Sequence, residues 1–389
     1  MGLWIGWNDR EKYINMIIGV FMLFLIKQNN IKLDLSKRNV ISTIFAILGF
    51  TYFSIRMEYF GLSVPFSYFL PVSLIILLNS ADKIRCVSYI SRWFAYLIIP
   101  SVITYLLYQA IGLPSFGELL VSDNVDQPYE YTHRVNYLFY CYADFYDIRF
   151  NGPFVEPGHL GMMSAFLLMV TGFNFRKWET WAIIIGILFT LSLSGYMLAV
   201  IGYLLYKFGE GKIKIKMVLS FLIFILIVVY IAFTYNNGDN LLFEFIISRL
   251  EPDEENGFSG NNRVFGQIDL FFAGLFTDFK LLLFGYDTDT IKYLSASGSR
   301  GTGLIMCMVK YGLFGTILGL LFYFIYGYYS NYRRKAFVLL LFVIITYWQR
   351  TYPFWFSWII CYVYGMTLIE KEKSLLKYEN RNSNLSQKS

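Results

Sequence analysis

Long apolar runs alternate with short polar segments along almost the whole chain. The runs are about 15 to 27 residues long, and an upright helix needs about 20 residues to cross a bilayer. This pattern predicts an all-α, polytopic integral membrane protein with about eleven (10–12) transmembrane helices. The runs lie at roughly 13–27, 39–55, 62–79, 93–111, 158–175, 178–192, 194–208, 216–235, 303–329, 336–349 and 353–369.

The runs at 178–192 and 194–208 are short, and only a few residues separate them. They could form one long kinked helix or a hairpin of two helices. The distribution of positive charge, described next, favours the hairpin. The break between them reads Ser192-Leu193-Ser194-Gly195.

Composition supports a membrane protein, because 56% of residues are hydrophobic and 15% are charged, against about 25% charged in soluble domains. Most lysines and arginines lie in six segments between or after the apolar runs. Basic residues concentrate on the cytoplasmic side of membrane proteins, so we predict that these segments are cytoplasmic, the N-terminus outside and the C-terminus cytoplasmic. The segments contain Lys27, Lys32, Lys37 and Arg38; Lys83, Arg85 and Arg92; Arg176 and Lys177; Lys207, Lys212, Lys214 and Lys216; Arg333, Arg334 and Lys335; and Lys371, Lys373, Lys377, Arg381 and Lys388.

This topology makes residues 1–389 a single membrane domain with two long outer loops, at 112–157 and 236–302. Loops of this length in a compact protein are usually functional. The second loop contains apolar stretches at 241–250 and 264–276, which are typical of amphipathic surface helices. The cytoplasmic tail, 370–389, is polar enough to be disordered.

One stretch of the first loop concentrates polar chemistry directly before an apolar run. Two prolines and two glycines there exclude the interior of an ordinary helix. Glu156 and His159 are candidate proton acceptors, and Pro157 favours an extended backbone at Glu156. The alternative is a helix-entry turn that begins at Pro157, with its charges merely solvated. The stretch reads Arg149-Phe150-Asn151-Gly152-Pro153-Phe154-Val155-Glu156-Pro157-Gly158-His159.

Basic residues on the outer side run against the topology bias, so they are candidates for binding. A planar guanidinium grips phosphate in a bidentate manner, and several converging arginines would suit a diphosphate. The alternative is that each pairs with a nearby acid or a lipid headgroup. The candidates, which all lie near segment ends on the outer side, are Arg149, Arg249, Arg263 and Arg300.

Three further residues are candidates to line a cavity near this site. Lys310 lies inside the run 303–329, where a charge is costly and therefore a functional candidate. Arg350 lies in a short outer turn, and Tyr146 belongs to a tyrosine-rich part of the first loop. Such tyrosines either stack on sugar rings or form the ordinary aromatic belt of the membrane interface.

The sequence gives little support for a metal site. The four cysteines are far apart and show no metal-ligand spacing. Asp287-Thr288-Asp289 has the form of the acidic pair of nucleotide-sugar transferases, but it falls on the outer side, where such donors are absent. We therefore predict no metal and no cofactor, and the apolar composition gives no indication of a nucleic-acid partner.

The motifs together resemble those of the bacterial O-antigen and capsular polysaccharide polymerases of the Wzy type. Their pattern Arg-x-x-Gly-x-Phe-x-Glu-Pro matches residues 149–157, and the Ser-x-Ser-Gly break matches residues 192–195. A late glycine-punctuated helix also matches, at 310–315. The alternative is a related O-antigen ligase. Ligases often carry a histidine at the start of the late helix, where this chain has a Ser/Gly stretch and Arg300, and this departure favours the polymerase.

The resemblance implies a glycosyltransferase of the bacterial inner membrane with its active site on the outer face. Donor and acceptor would both be oligosaccharides linked to undecaprenyl diphosphate, the arginines would bind the diphosphate, and Glu156 or His159 would act as base. A flippase and a chain-length regulator would be partners beside the membrane lipid. A different class, a lipid-linked oligosaccharide flippase or transporter, would show internal repeats and charges deep in many helices.

Overall fold

The computed structural model describes most of the chain, and everything below concerns those residues. They are 10–56, 61, 64–120, 133–136, 140–142, 148–154, 156–212, 215–241, 243–248, 252–253, 257–258, 267–297, 299, 301–349 and 356–386.

The structure is predominantly helical, and each of the eleven apolar runs contains a helix. In chain order the helices are α1 Arg10–Gln28, α2 Lys37–Arg56, α3 Leu70–Leu77, α4 Ser80–Ile111, α5 Pro157–Val170, α6 Trp178–Phe189, α7 Leu193–Gly209, α8 Ile215–Thr234, α9 Ile268–Gly274, α10 Phe279–Phe284, α11 Thr288–Ala296, α12 Gly303–Tyr328, α13 Arg333–Gln349 and α14 Phe356–Ser386. A π-helical turn, Pro65–Phe69, leads into α3. The helical class is thereby confirmed.

Three of the described helices are long and apolar enough to cross a membrane, judged by length and composition. They are α2, α4 and α12, and several shorter apolar helices accompany them. These helices are compatible with a membrane protein. The number of eleven spans remains a prediction.

Helix α5 lies at the centre of the molecule. Nearly every residue from Pro157 to Val170 is buried, as expected for a helix that is apolar on all sides. It packs against α6, α7 and α14. The first turn of α5 is therefore held in a rigid surrounding.

Helix α7 runs parallel to α5 along its whole length. A Cβ atom built on Gly161 would lie 2.8 Å from the Cα of Gly195, and one built on Gly202 would lie 3.7 Å from the Cβ of Met169. Helix α6 returns the chain from the end of α5 to the start of α7, so it runs in the opposite direction. The predicted hairpin of 178–192 and 194–208 is confirmed, and the single kinked helix is excluded.

Two charged segments are helical where the pattern indicated none. The basic segment around Lys83 and Arg92 forms the first turns of α4, which follows α3 after a two-residue link. Helix α14 continues to Ser386, so the predicted disorder of the tail was wrong over 370–386. Both segments extend apolar helices. Adding residues to a helix that has already formed is easier than nucleating a new one.

The long loops contain short strands that the sequence did not predict. In the first loop, β1 (Glu118–Leu120), β2 (His133–Asn136) and β3 (Cys141–Tyr142) form an antiparallel sheet in that order. In the second, β4 (Pro252–Asp253) pairs with β5 (Gly257–Phe258). The predicted surface helices are present but short: a π-helical turn at Phe243–Ile247 and helix α9.

A buried polar cluster joins α2, α4, α12 and α14. Arg38 binds both carboxylate oxygens of Glu370, at 2.9 and 2.8 Å, and stacks on the ring of Tyr326 at 3.8 Å. Lys83 is 2% exposed and donates to Asn39 Oδ1 (3.2 Å) and to Tyr326 Oη (3.3 Å). All these segments belong to the side that the sequence assigns to the cytoplasm.

Candidate functional site

The first turn of α5 presents the two candidate proton acceptors. Glu156 is the N-cap residue with an extended backbone (φ −140°, ψ 149°), and Pro157 is the first helical residue. Both features are those predicted from the Glu-Pro sequence. His159 lies in the same turn, where its backbone N–H donates to the Glu156 carbonyl at 3.1 Å. Both side chains are partly buried.

The residues before Glu156 form a compact buried turn. Asn151 Nδ2 donates to the Phe154 carbonyl at 2.6 Å, and the Phe154 N–H donates back to the Asn151 carbonyl at 3.0 Å. Gly152 adopts a positive φ of 54°, which favours glycine. Phe150 is fully buried. The helix-entry turn of the alternative is present, because α5 begins at Pro157, and the residues before it are built into the core.

The turn is hydrogen-bonded to the link between α6 and α7. The Phe150 N–H donates to the Phe189 carbonyl at 3.1 Å, and Arg149 Nε donates to the Thr190 carbonyl at 3.3 Å. Leu191 takes a positive φ of 44° in this link. The two sequence motifs, 149–159 and 190–195, therefore meet in space although about thirty residues separate them.

Two serine hydroxyls complete this meeting point. Ser192 Oγ and Ser194 Oγ are 3.0 Å apart, and Ser192, which is 3% exposed, also accepts the Gly195 N–H at 3.4 Å. A Cβ atom on Gly158 would lie 3.8 and 3.9 Å from the Ser194 and Ser192 hydroxyls. Glycine at 158 thus leaves the first turn of α5 directly beside both hydroxyls.

An aromatic wall backs this site. Tyr105, Tyr140, Phe150 and Phe154 form one buried cluster with Leu160. The Tyr105 hydroxyl donates to the Ile148 carbonyl, which holds the chain just before Arg149. Tyr140 packs on Tyr105 and Phe150, so this loop tyrosine has a structural role. The wall shields one side of the site from water, which strengthens electrostatic interactions there.

The arrangement combines donors and acceptors of complementary chemistry. The Arg149 guanidinium is a group that binds phosphate oxygens. The serine hydroxyls both donate and accept hydrogen bonds, and the Glu156 carboxylate or the His159 imidazole can take a proton. Such a set can bind a phosphorylated leaving group beside an acceptor hydroxyl.

Three of the predicted site residues lie in the described segment around the start of α5: Arg149, on the Thr190 carbonyl, and Glu156 and His159, in the first helical turn. Lys310 lies on α12 beside Gly285 and is described further below. The remaining predictions fall outside the described residues, and their positions stay predictions. They are Arg249, Arg263, Arg300, Arg350 and Tyr146.

Sequence reasoning missed three residues. Ser192 and Ser194 served only to mark a helix break, although hydroxyls at a break beside an outer loop are themselves a signal for ligand contact. Arg56 ends the apolar run 39–55, and the same alternation of sides would have placed it with the outer arginines. Its contacts are described below.

The described residues contain no group of three or more His, Cys, Asp or Glu side chains that could hold a metal ion. Asp287, which had suggested the acidic pair, caps α11 instead: its Oδ1 accepts the Thr290 N–H at 2.8 Å. That hydrogen bond lowers the pKa of the Asp287 carboxyl. The residue therefore has a structural explanation.

Comparison with protein-family models, with curated proteins and with solved structures finds no match to this chain.

Proposed function

We propose that this protein is a polysaccharide polymerase that joins undecaprenyl-diphosphate-linked oligosaccharide repeat units at the outer face of the bacterial inner membrane. The observation that carries the proposal is the contact between residues 149–159 and residues 190–195. These are the two stretches on which the resemblance to Wzy-type polymerases chiefly rests. Together the two stretches carry a guanidinium, a carboxylate, an imidazole and two hydroxyls, which are the groups that such a reaction needs.

In this proposal a sugar hydroxyl of the acceptor attacks the anomeric carbon of the donor. The new C–O bond forms as the bond between that carbon and the diphosphate oxygen breaks, and undecaprenyl diphosphate leaves with the electron pair. Arg149 stabilises the negative charge that develops on the leaving group. The acceptor proton goes to Glu156 or His159.

The serine pair suits a positioning role in the same reaction. Ser192 and Ser194 face the first turn of α5, where they can hydrogen-bond sugar hydroxyls or phosphate oxygens. A positioned acceptor lowers the entropic cost of bringing two lipid-linked substrates together. Arg249, Arg263 and Arg300 would add phosphate contacts from the second outer loop.

The peripheral helices suit the lipid part of both substrates. Helices α1 and α8 expose many large apolar side chains, among them Phe21, Phe24, Ile223 and Leu226. In a membrane these faces would contact acyl and polyprenyl chains. The contacts between segments also agree with the proposed topology, because Arg38 and Glu370 meet on one side and Arg149 and Thr190 on the other.

The proposal is tested by polysaccharide length in a deletion strain complemented with the wild type, Arg149→Ala or Arg149→Lys. Loss of one charge-stabilising group is expected to slow polymerisation about 10²-fold or more, so Arg149→Ala should leave single repeat units. Arg149→Lys keeps the charge without the planar fork and should retain a minor fraction of long chains. Arg176→Ala is the matched control, because Arg176 is exposed and lies in a predicted cytoplasmic turn.

The product also separates the alternatives. Single repeat units on the lipid carrier or on the final acceptor support a polymerase. Long chains that accumulate on undecaprenyl diphosphate would instead show that transfer to a terminal acceptor is lost, as for an O-antigen ligase. Repeat units trapped on the cytoplasmic side would identify a flippase. Wild-type chain lengths in Arg149→Ala, at equal protein level, would contradict the proposed site.

A further inference from the structure

Helix α12 is broken inside its apolar run, two residues after Lys310. Gly312 has a φ of 68° and a ψ of −175° within the helix, a backbone that favours glycine. Breaks of this kind inside spanning helices are tolerated where other groups satisfy the freed backbone. They also occur at ligand sites of membrane proteins.

Groups from other elements fill this break. The Tyr286 N–H donates to the Val309 carbonyl at 2.9 Å, and the Tyr52 hydroxyl donates to the Tyr311 carbonyl at 3.1 Å. Gly285 also has a positive φ, of 74°, and a Cβ atom there would lie 2.8 Å from the Lys310 carbonyl carbon. The segment between α10 and α11 is thus seated in the break, which makes the break a built feature of the fold.

A second cation is anchored to the same segment. Arg56, the last residue of α2, donates from one terminal nitrogen to the Phe284 carbonyl at 3.0 Å and to the Tyr286 carbonyl at 2.5 Å. Its Nε is buried and has no hydrogen-bond partner in the described part of the chain. The Arg56 side chain therefore contacts the tripeptide Phe284-Gly285-Tyr286, and Lys310 lies beside Gly285 through its backbone.

Neither cation is neutralised within the described residues. Other buried cations have polar partners: Arg38 binds Glu370, and Lys335 approaches Glu210. The buried Lys83 donates to an amide and a phenol. No ion pair or hydrogen bond of the Lys310 ammonium occurs in the residues that the structure describes, and Arg56 contacts only neutral carbonyls. An uncompensated charge inside a membrane helix is costly.

We propose that Lys310 and Arg56 bind a phosphate-bearing anion at the break of α12. A phosphate group would compensate both charges and could accept the N–H of Arg56 that lacks a partner. Lys310 lies seven residues after Gly303, or about 10 Å along the helix. A phosphate group carried by a membrane lipid reaches that depth more readily than a free anion. The identification of this anion as a polyprenyl diphosphate rests on the proposed function.

The test is binding to the full-length protein in lipid nanodiscs, with two probes measured separately. One is a short-chain polyprenyl diphosphate, and the other is inorganic diphosphate. Lys310→Gln is expected to weaken binding at least about tenfold, the effect of losing one charge-assisted hydrogen bond. Arg56→Lys, which keeps the charge but loses the fork, should weaken it less. Arg85→Gln is the control, because Arg85 is exposed and lies on the predicted cytoplasmic side.

The two probes separate the sources of the phosphate group. Equal losses for both probes support a site for the phosphate group alone, and a loss confined to the polyprenyl compound supports a lipid site. Unchanged affinity in Lys310→Gln, with a thermal unfolding temperature like the wild type, would overturn the inference.

A measurement on the wild type covers the case that Lys310→Gln does not fold. A polyprenyl diphosphate with a photoreactive group next to the phosphates should cross-link within residues 283–287 or 307–316, and cross-links elsewhere alone would overturn the site. These readouts do not depend on polymer formation. Failure of the polymerase proposal and failure of this inference can therefore be told apart.

Discussion

Single residues set the local geometry at both proposed sites. Pro157 fixes the start of α5 and extends the backbone at Glu156, as local sequence rules require. Gly312 supplies the positive φ at which α12 is broken, and Gly285 supplies the positive φ of the segment between α10 and α11 that packs against this break. The first feature follows from two adjacent residues. The second needs two glycines 27 positions apart to touch, and no rule of spacing predicts that contact.

Glu210, at the end of α7, gives a prediction about pH. Its carboxylate lies 3.2 Å from the Lys212 ammonium and 3.4 Å from that of Lys335. Partial burial raises the pKa of Glu210, but the hydrogen bonds and charges of Lys212 and Lys335 outweigh burial, so the pKa is lowered overall. A carboxyl whose pKa is lower in the folded state stabilises the fold above its unfolded pKa, about 4.3.

We therefore expect Glu210→Gln to lower the thermal unfolding temperature of the detergent-solubilised protein at neutral pH. The difference from the wild type should shrink as the pH falls below about 4.3 and through the lower pKa of the folded state, because protonation removes the same interaction from the wild type. Unfolding temperatures measured from pH 7 to pH 3 test this. A difference that stays constant over the whole range would show that Lys335 and Lys212 do not stabilise the carboxylate.

At the scale of elements, the close contact of α5 and α7 brings the two motifs together. The helices touch at Gly161 and Gly195, where any larger side chain would meet backbone atoms. Small residues allow such approach in membrane helix pairs. The sequence predicted both helices and their reversal through α6. It did not predict that α7 would pack along α5 in parallel register, since α6 and α7 could have packed mainly on each other.

Gly161→Ala is expected to destabilise the protein by about 1–3 kcal/mol, the usual cost of overpacking a tight contact. The added Cβ would lie 2.8 Å from the Gly195 Cα, and backbone there can move only if α7 shifts. Such a shift would also displace Ser192 and Ser194 from the first turn of α5. Chemical or thermal unfolding and polymer length should therefore both be affected.

Gly209→Ala is the matched control for this substitution. Gly209 also lies in α7, but a Cβ there would meet its nearest neighbours at ordinary contact distances, 3.5 Å from Lys335 and 3.7 Å from Val338. Since alanine favours the helix over glycine, stability should stay the same or rise slightly. If both variants behaved alike, the α5–α7 contact would not limit the position of the site.

At the scale of the molecule, the topology predicts which exposed positions face outward. A membrane-impermeant maleimide should label Asp239→Cys in intact spheroplasts, because the end of α8 is assigned to the outer side. Asn29→Cys and Asn331→Cys should be labelled only after permeabilisation. All three positions are exposed, so accessibility of the side chain does not bias the comparison. The background carries Cys141→Ser, which removes the cysteine of the first outer loop.

Labelling of Asn29→Cys in intact spheroplasts would reverse the assignment of α1 and α2. It would also place the cluster of Arg38, Lys83 and Glu370 on the outer side. The proposed sites near Arg149 and Lys310 would then face the cytoplasm, where oligosaccharides linked to undecaprenyl diphosphate are not polymerised in the proposed reaction. The polymerase proposal therefore depends on this outcome.

The sequence by itself determined the helices of the eleven apolar runs and the turn at Glu156-Pro157. Apolar run length and proline geometry act within a few neighbouring residues, so they can be read without a fold. The polar continuation of α14 and the short loop strands were missed because they depend on the elements that they extend or pair with.

Only the tertiary structure decided which distant segments meet. The contact of Arg149 with the Thr190 carbonyl and the seating of Gly285 at Gly312 join residues that no periodicity relates. The tertiary structure also decides which charges are compensated. Arg38 binds Glu370, 332 positions away in the sequence, whereas Lys310 has no carboxylate partner in the described residues. Such contacts depend on how helices pack, and many packings satisfy the same hydrophobic pattern.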